Sequence, residues 1–149
     1  MATKIFINMP VRDLKASVAF FTQLGFSFNP QFTNESGTGM IISDDIYVML
    51  LEEPFFQTFI PKAIADARQV TEAIFCISAD SRAEVDRIVD AALAAGGQSV
   101  PQDPKNEMEF MYDRNFQDLD GHHWEVLYMD PAAVQQHHGR AGAADDVVQ

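Results

Sequence analysis

The 149-residue sequence predicts an α+β fold made of two copies of one βαβββ unit. Three observations carry this prediction. Strand and helix patterns follow in the same order in both halves, an aspartate (Asp13 or Asp80) precedes each predicted helix, and glycine ends each helix. Repetition of one supersecondary unit implies a pseudo-twofold arrangement. Both sheets are expected to carry their helices on the outside and to face each other across a groove.

The first unit covers residues 1–52. In its first strand, apolar side chains alternate with Phe6 and Asn8, which places these two on one face. Asp13 caps a helix that has an apolar stripe at helical spacing, and Gly25 ends it. The predicted strands are residues 4–9, 26–32, 39–43 and 46–51.

The second unit covers residues 71–130. Ser81 and Glu84 have the spacing of a capping box, in which both side chains accept from N–H groups at the start of a helix. Asp120 and Gly121 form the last hairpin turn. The helix stripe predicted to be buried consists of Val85, Ile88, Val89 and Ala92. The predicted strands are residues 71–78, 98–100 (a weak pattern), 109–115 and 123–129.

Two segments lie outside the repeat. Residues 53–70 form a Phe-rich connecting insert with a short helical piece beginning at Pro61. Its aromatic residues could cover the groove, form a dimer contact or simply pack as a linker on the core. Residues 131–149 form a C-terminal tail without periodicity, which is expected to be mobile unless a partner orders it.

Composition narrows the class of protein. With 22 acidic and 10 basic side chains, the net charge of −12 argues against a nucleic-acid partner. No apolar run approaches the roughly 18 residues of a membrane span. Cys76 is the single cysteine, which excludes an internal disulfide and fits a cytoplasmic protein. Nothing in the sequence provides a partner that would activate its thiol, so Cys76 is expected to be a buried, small apolar residue.

The double βαβββ pattern, the segment MPVRDLKASVAFFTQLGF after the first strand and the segment DLDGHHWEV near the end resemble the vicinal oxygen chelate superfamily. This superfamily includes glyoxalase I, extradiol dioxygenases and bleomycin-resistance proteins, and the resemblance covers residues 3–130. It is strongest to a bacterial branch described as predicted lactoylglutathione lyases. The resemblance implies a U-shaped, eight-stranded mixed sheet around a cleft that binds a small molecule. It also implies a homodimer.

In metal-using members of the superfamily, the first and last strands of each module each supply one His, Gln or Glu. By resemblance, Glu72 and Glu125 occupy the two positions of the second module. In the first module the matching positions hold Phe6, with Asn8 on the same face, and either Met49 or Leu50. Phenylalanine, leucine and methionine do not bind hard or borderline divalent cations. The residues leave two alternatives open, one divalent metal ion or no cofactor.

The two glutamates are the candidate catalytic residues. A carboxylate that points into an apolar cleft loses solvation, which suits a general base or a metal ligand. His123 shares the strand face of Glu125 and could be a third metal ligand or could orient that glutamate. His122 points to the other face and is expected to be exposed to solvent. Asp118 and Asp120 are interpreted as turn formers.

Tyr112 and Arg114 could bind an anionic group of a substrate in the cleft, together with Phe6, Asn8 and Leu50. Pairing of Arg114 with an acidic side chain is the favoured alternative. Two functions follow. The first is a glyoxalase-like lyase or isomerase, or a dioxygenase-like enzyme, in which Glu125 or Glu72 moves a proton. The second is a metal-free protein that binds or sequesters small molecules, of the bleomycin-resistance type.

Overall fold

The computed structural model describes residues 3–102 and 110–132, and this part of the chain contains seven strands and three α-helices. The predicted C-terminal tail from residue 133 onward and the predicted strand start at Glu109 lie outside the described residues. The elements are β1 Ile5–Val11, α1 Leu14–Gln23, β2 Ser27–Asn29, β3 Gly37–Ser43, β4 Ile46–Glu52, α2 Glu53–Gln57, β5 Ile74–Ser78, α3 Arg82–Ala94, β6 Met111–Gln117 and β7 His123–Met129.

The first sheet has the strand order β1-β4-β3-β2, with β1 parallel to β4. Strand β2 ends at Asn29 because Pro30 begins a 3₁₀ turn, in which the Asn29 side chain accepts from the N–H of Gln31 at 2.9 Å. Asn8 pairs with Met49, and Met9 pairs with Leu50. Met49 therefore lies on the face of Asn8, whereas Leu50 lies on the opposite face.

The second sheet has the order β5-β7-β6, with β5 parallel and β6 antiparallel to β7. The weak strand predicted over residues 98–100 is reduced to one isolated bridge between Gln98 and Gln117. Pairing stops there because the N–H of Val100 donates to the side chain of Asn115 at 2.9 Å instead of to a strand backbone. The described residues thus form sheets of four and three strands.

Both long helices begin as predicted. Asp13 accepts from the N–H of Ala16 at 3.1 Å, and Ser81 accepts from the N–H of Glu84 at 3.1 Å. The predicted capping box is only half formed, because the Glu84 carboxylate binds Arg87. The predicted stripe of Val85, Ile88, Val89 and Ala92 is buried.

One core joins the two modules. Phe21 of α1 lies 5.4 Å from Trp124 of β7 between ring centroids, and Phe20 lies 6.0 Å from Phe116 of β6. Helix α1 therefore contacts the second sheet, which the prediction of outward-facing helices did not anticipate. Leu50 is fully buried in this core and not in a cleft, since it shares the face of Met9.

The insert differs from its prediction. Its helix is α2, with Pro54 in the first turn, and not a piece that begins at Pro61. The side-chain amide of Gln57 donates to the carbonyls of Ile60 and Lys62 at 3.2 and 2.8 Å, which holds the chain around Pro61 in turns. Within the described residues no helix is long and apolar enough to cross a membrane.

Candidate functional site

The turn between β6 and β7 is organised by the buried side chain of Asp118. One carboxylate oxygen accepts from the N–H groups of Asp120 and His122, both at 3.0 Å, and the other accepts from Nε1 of Trp124 at 3.0 Å. The interpretation of Asp118 as a turn former is therefore confirmed. Burial raises the pKa of Asp118 to about 6, although His122 and the donated hydrogen bonds act in the opposite direction.

His122 is buried, and the expectation that it faces solvent is wrong. Its side chain is 2% exposed, because the strand face that it shares with Trp124 is the core face. Nδ1 lies 2.7 Å from Oε1 of Glu72, and Nε2 lies 2.7 Å from the carbonyl oxygen of Pro10. This imidazole joins the end of β1 to the segment before β5.

The partners of His122 determine where its protons lie. A carbonyl oxygen only accepts, so Nε2 carries a hydrogen and donates it to Pro10. At 2.7 Å one more proton must lie between Nδ1 and the Glu72 carboxylate, on either atom. Burial opposes the charged imidazolium. Asp118, the Pro10 carbonyl and Glu72 outweigh it, and the pKa of His122 is raised.

The Glu72–His122 pair lies in the wall of a cavity of about 220 Å³, called here the insert cavity. The body of the protein contributes Asn8, Met9, Pro10, Glu72, Phe75 and His122, and the insert contributes Phe56, Ile60, Ala63, Ile64 and Ala65. Two residues predicted for the site, Asn8 and Glu72, meet here. The side chain of Glu72 is 28% exposed, and its second oxygen has no partner among the described residues.

Glu125 and His123 lie on the other face of β7. Nε2 of His123 is 3.5 Å from Oε1 of Glu125, and Glu125 is paired in register with Cys76 and Asn115. Cys76 is exposed and not buried as expected. Partial desolvation, Glu125 and Asp113 together raise the pKa of the Cys76 thiol, so its environment disfavours the reactive thiolate.

Tyr112 and Arg114 are engaged with helix α3. The Tyr112 hydroxyl donates to Asp86 at 2.6 Å, and one guanidinium nitrogen of Arg114 lies 2.9 Å from both Asp86 and Asp90. The favoured alternative, in which Arg114 pairs with acidic side chains, is therefore confirmed. Strand register places both side chains on the face opposite Glu125, so they do not share a cleft with it.

Phe6 belongs to an aromatic cluster on the face of the first sheet opposite the buried Met9 and Leu50. Its ring stacks on Tyr47 at 5.1 Å, and Phe32 meets both rings edge-on at 5.9 Å. Phe6 is 44% exposed and Phe32 is 40% exposed. An apolar ring surface therefore lies where the resemblance would place the first metal ligand.

The four positions matched by the resemblance do not fit a divalent metal ion. Phe6 offers no donor atom, and register assigns the fourth position to Met49, which offers only a thioether. One oxygen of Glu72 is already hydrogen-bonded to His122, whereas Glu125 lies beside His123.

A second group, Asp118, Asp120 and His122, places one potential ligand atom of each residue within 4.8 Å of the others. These side chains already have hydrogen-bond partners, which lie within the turn for Asp118 and outside it for Asp120 and His122. Asp120 accepts from the N–H of Arg12 at 2.9 Å and from Ser17 at 3.4 Å, and both ring nitrogens of His122 are bonded. Their hydrogen bonds account for the cluster without an ion.

Thermal stability should fall as the pH rises above about 6.5, the unfolded value of histidine, and His122 should carry part of this fall. A histidine whose pKa is raised on folding stabilises the folded state below the unfolded value of about 6.5 and loses that contribution as the pH rises through the folded value. Asp118 contributes a separate fall at lower pH, because its contribution is lost between its unfolded value of about 3.9 and its folded value of about 6. Calorimetric melting of the wild type, His122→Gln and His123→Gln measures the effect. The fall in Tm should shrink in His122→Gln and persist in His123→Gln, and an undiminished fall in His122→Gln contradicts the assignment.

The family model described as Glyoxalase/Bleomycin resistance protein/Dioxygenase superfamily matches residues 5–126. A hypothetical protein from S. aureus has 30% identity and a TM-score of 0.71, covering 86% of this chain and 94% of that one. A glyoxalase/bleomycin resistance protein/dioxygenase family enzyme from Burkholderia phytofirmans PsJN has 16% identity and a TM-score of 0.70, covering 87% and 100%. The fosfomycin resistance protein FosX from Listeria monocytogenes has 17% identity and a TM-score of 0.61, covering 87% and 93%. No curated protein matches the sequence.

Proposed function

The chain belongs to the glyoxalase/bleomycin resistance protein/dioxygenase superfamily, and from this premise we propose that it binds a small organic molecule in the insert cavity without a divalent metal ion. The observation that carries the proposal is the Glu72 carboxylate, which lines an otherwise largely apolar cavity and has one oxygen free of partners among the described residues. An apolar cavity with a few placed polar groups is the usual chemical form of a small-molecule site, and the volume of about 220 Å³ limits the ligand to a small one.

The charge of the cavity favours a neutral or cationic ligand that donates a hydrogen bond. Its lining contains no lysine or arginine. The basic side chain at its wall is His122, whose Nδ1 is already hydrogen-bonded to Glu72. Nearby, Arg12 is paired with Glu53 and Asp66 at 3.5 and 3.1 Å. An anionic ligand would be repelled by the Glu72 carboxylate. It would also lose its hydration without gaining an unpaired cation as a partner.

A second candidate function is proton transfer, and the Glu72–His122 contact supports it. Glu72 would take a proton from a bound substrate through its free oxygen. His122 would hold the carboxylate in place and stabilise the changing charge, as a positioning residue. This is the lyase or isomerase alternative of the glyoxalase type. Glu125, on the other face of β7 beside His123, is not required for it.

Two further features of the chain belong to the proposal. A homodimer is supported by the exposed apolar side chains of Ile5 on β1 and Phe59 in the insert, which leave apolar surface for a second copy. A monomer mass in static light scattering contradicts it. Cytoplasmic location is supported by the single free cysteine, and recovery of the protein in an extracytoplasmic fraction contradicts it.

Binding of small aromatic amines tests the site. Phenethylamine should bind more tightly than phenylpropionate, and Glu72→Gln should weaken the binding of the amine by about 10-fold or more, since hydrogen bonds to charged groups contribute about 1.5–3 kcal/mol. Isothermal titration calorimetry on the full chain measures both affinities.

Glu125→Gln is the matched control, because it removes the other predicted carboxylate from the opposite face of β7. Its affinity for the amine should equal that of the wild type. Equal binding of the carboxylate and the amine, or an unchanged affinity in Glu72→Gln, would show that Glu72 does not recognise the ligand.

A further inference from the structure

A second and larger cavity, of about 700 Å³, lies between the two sheets and is called here the apolar cavity. The first sheet contributes Ile7, Ile42 and Val48, and the second contributes Phe75, Ile77 and Trp124. Its volume falls within the range of about 300–1,000 Å³ that is typical of small-molecule sites. It contains none of the residues that the resemblance matches to ligand positions.

The lining of the apolar cavity carries no charged side chain, although the chain has 22 acidic residues. Its polar groups are the small side chains of Ser43, Cys76 and Ser78. A charged ligand would lose its hydration here without gaining an ionic partner. The cavity therefore selects an uncharged molecule.

Large apolar side chains line the cavity and are also open to solvent. Ile46, Ile74 and Met129 are 40%, 57% and 45% exposed. These three residues come from both modules, so the exposed apolar surface is continuous with the cavity interior. Exposed apolar surface that leads into a cavity marks a site of association and not a random exposed residue.

We propose that the apolar cavity is a binding site for an uncharged, largely aromatic or aliphatic small molecule, distinct from the insert cavity. Phe75 is the one described residue that lines both cavities. The ligand packs on Phe75 and Trp124 and makes no contact with Glu72, which does not line this cavity. Apolar burial against these rings and the surrounding isoleucines supplies the affinity.

The probe is N-phenyl-1-naphthylamine, an uncharged aromatic fluorophore, added to the full chain. Trp124 is the single tryptophan and lines the cavity, so excitation of tryptophan should yield saturable energy transfer to the bound probe. Ile74→Glu should weaken binding by about 10-fold or more, because a carboxylate at the cavity mouth must be desolvated when the probe enters. The side chain of Ile74 is more than half exposed, so the substitution leaves the core intact.

Val70→Glu is the matched control. Val70 is 56% exposed and does not line the cavity, so this variant should bind the probe as the wild type does. Bound probe should also slow the reaction of Cys76 with a thiol reagent, because Cys76 lines the cavity. Glu72→Gln should leave probe binding unchanged, which separates this test from that of the insert cavity.

Three results would each overturn the proposal. One is the lack of saturable energy transfer in the wild type. Another is the lack of a difference between the two variants, either because Ile74→Glu keeps the wild-type affinity for the probe or because Val70→Glu loses as much affinity as Ile74→Glu. The third is a wild type that excludes the probe because two chains cover the cavity, seen as a dimer in light scattering that Ile74→Glu converts to a monomer.

Discussion

Replacement of Asp118 by alanine should lower the free energy of unfolding by about 3–5 kcal/mol, since each buried donor left without a partner costs about 1–3 kcal/mol. Three donors lose their acceptor, namely Nε1 of Trp124 and the N–H groups of Asp120 and His122. Urea unfolding followed by tryptophan fluorescence measures the loss, because Trp124 is the single tryptophan and is fully buried.

Two variants separate the loss of the buried hydrogen bonds from the mere removal of a carboxylate. Asp118→Asn keeps one oxygen acceptor and should cost less than Asp118→Ala. Asp113→Ala removes a carboxylate that binds Gln102 at an exposed site and should change stability by at most about 0.5 kcal/mol. If Asp118→Ala lowered the free energy of unfolding as little as Asp113→Ala does, the hydrogen bonds of Asp118 would not stabilise the turn.

Gly121→Ala should lower the free energy of unfolding by about 2–4 kcal/mol. The strained backbone conformation accounts for roughly 1–3 kcal/mol of this loss, and a steric clash adds the rest. Gly121 has φ +90°, a region that disfavours any residue with a Cβ atom. A Cβ atom there would lie 2.9 Å from the carbonyl oxygen of Ala67 and 3.0 Å from the backbone nitrogen of Arg68. Both are backbone atoms of the insert, so the insert must move.

Gly25→Ala is the control for strain alone. Gly25 has φ +101°, but the added Cβ would meet only the side chain of Arg87, at 3.5 Å. Thermal or urea unfolding of both variants should therefore show a larger loss at Gly121, by about 1 kcal/mol or more. Because the insert lines the insert cavity, Gly121→Ala should also weaken amine binding there. Equal losses at both glycines would mean that the insert does not pack tightly on the turn.

Local signals predicted most of the fold. Asp13 and Ser81 mark the helix starts that the structure contains, and β7 has the predicted bounds. These features depend on neighbours in sequence. The prediction of a strand at residues 98–100 was wrong, because the N–H of Val100 donates to the side chain of Asn115 and not to a neighbouring strand. Asn115 is distant in sequence, so local patterns do not reveal this contact.

The candidate site was less accessible to sequence reasoning. Strand parity places His122 on the same face as the apolar side chains of Trp124 and Val126, which is the face a core would cover. Burial of His122 could therefore have been predicted. Its contacts with Glu72 and Pro10 could not, because they depend on how distant segments approach one another in the folded chain. The choice between Met49 and Leu50 for the fourth position depends on the register between β1 and β4, which the sequence alone left open. Once Asn8 is known to pair with Met49, strand parity places Met49 on the face of Asn8 and Leu50 on the opposite face.

The packing of Phe20 and Phe21 against Phe116 and Trp124 gives the internal repeat a consequence for folding cooperativity. Each half of the chain lacks apolar partners that the other half provides, so we expect that neither half folds by itself. The most protected amides of both sheets should therefore exchange with solvent through one global opening, at one common free energy. The repeat is thus a pattern of the sequence and of the strand order, whereas the expected folding unit is the pair of modules.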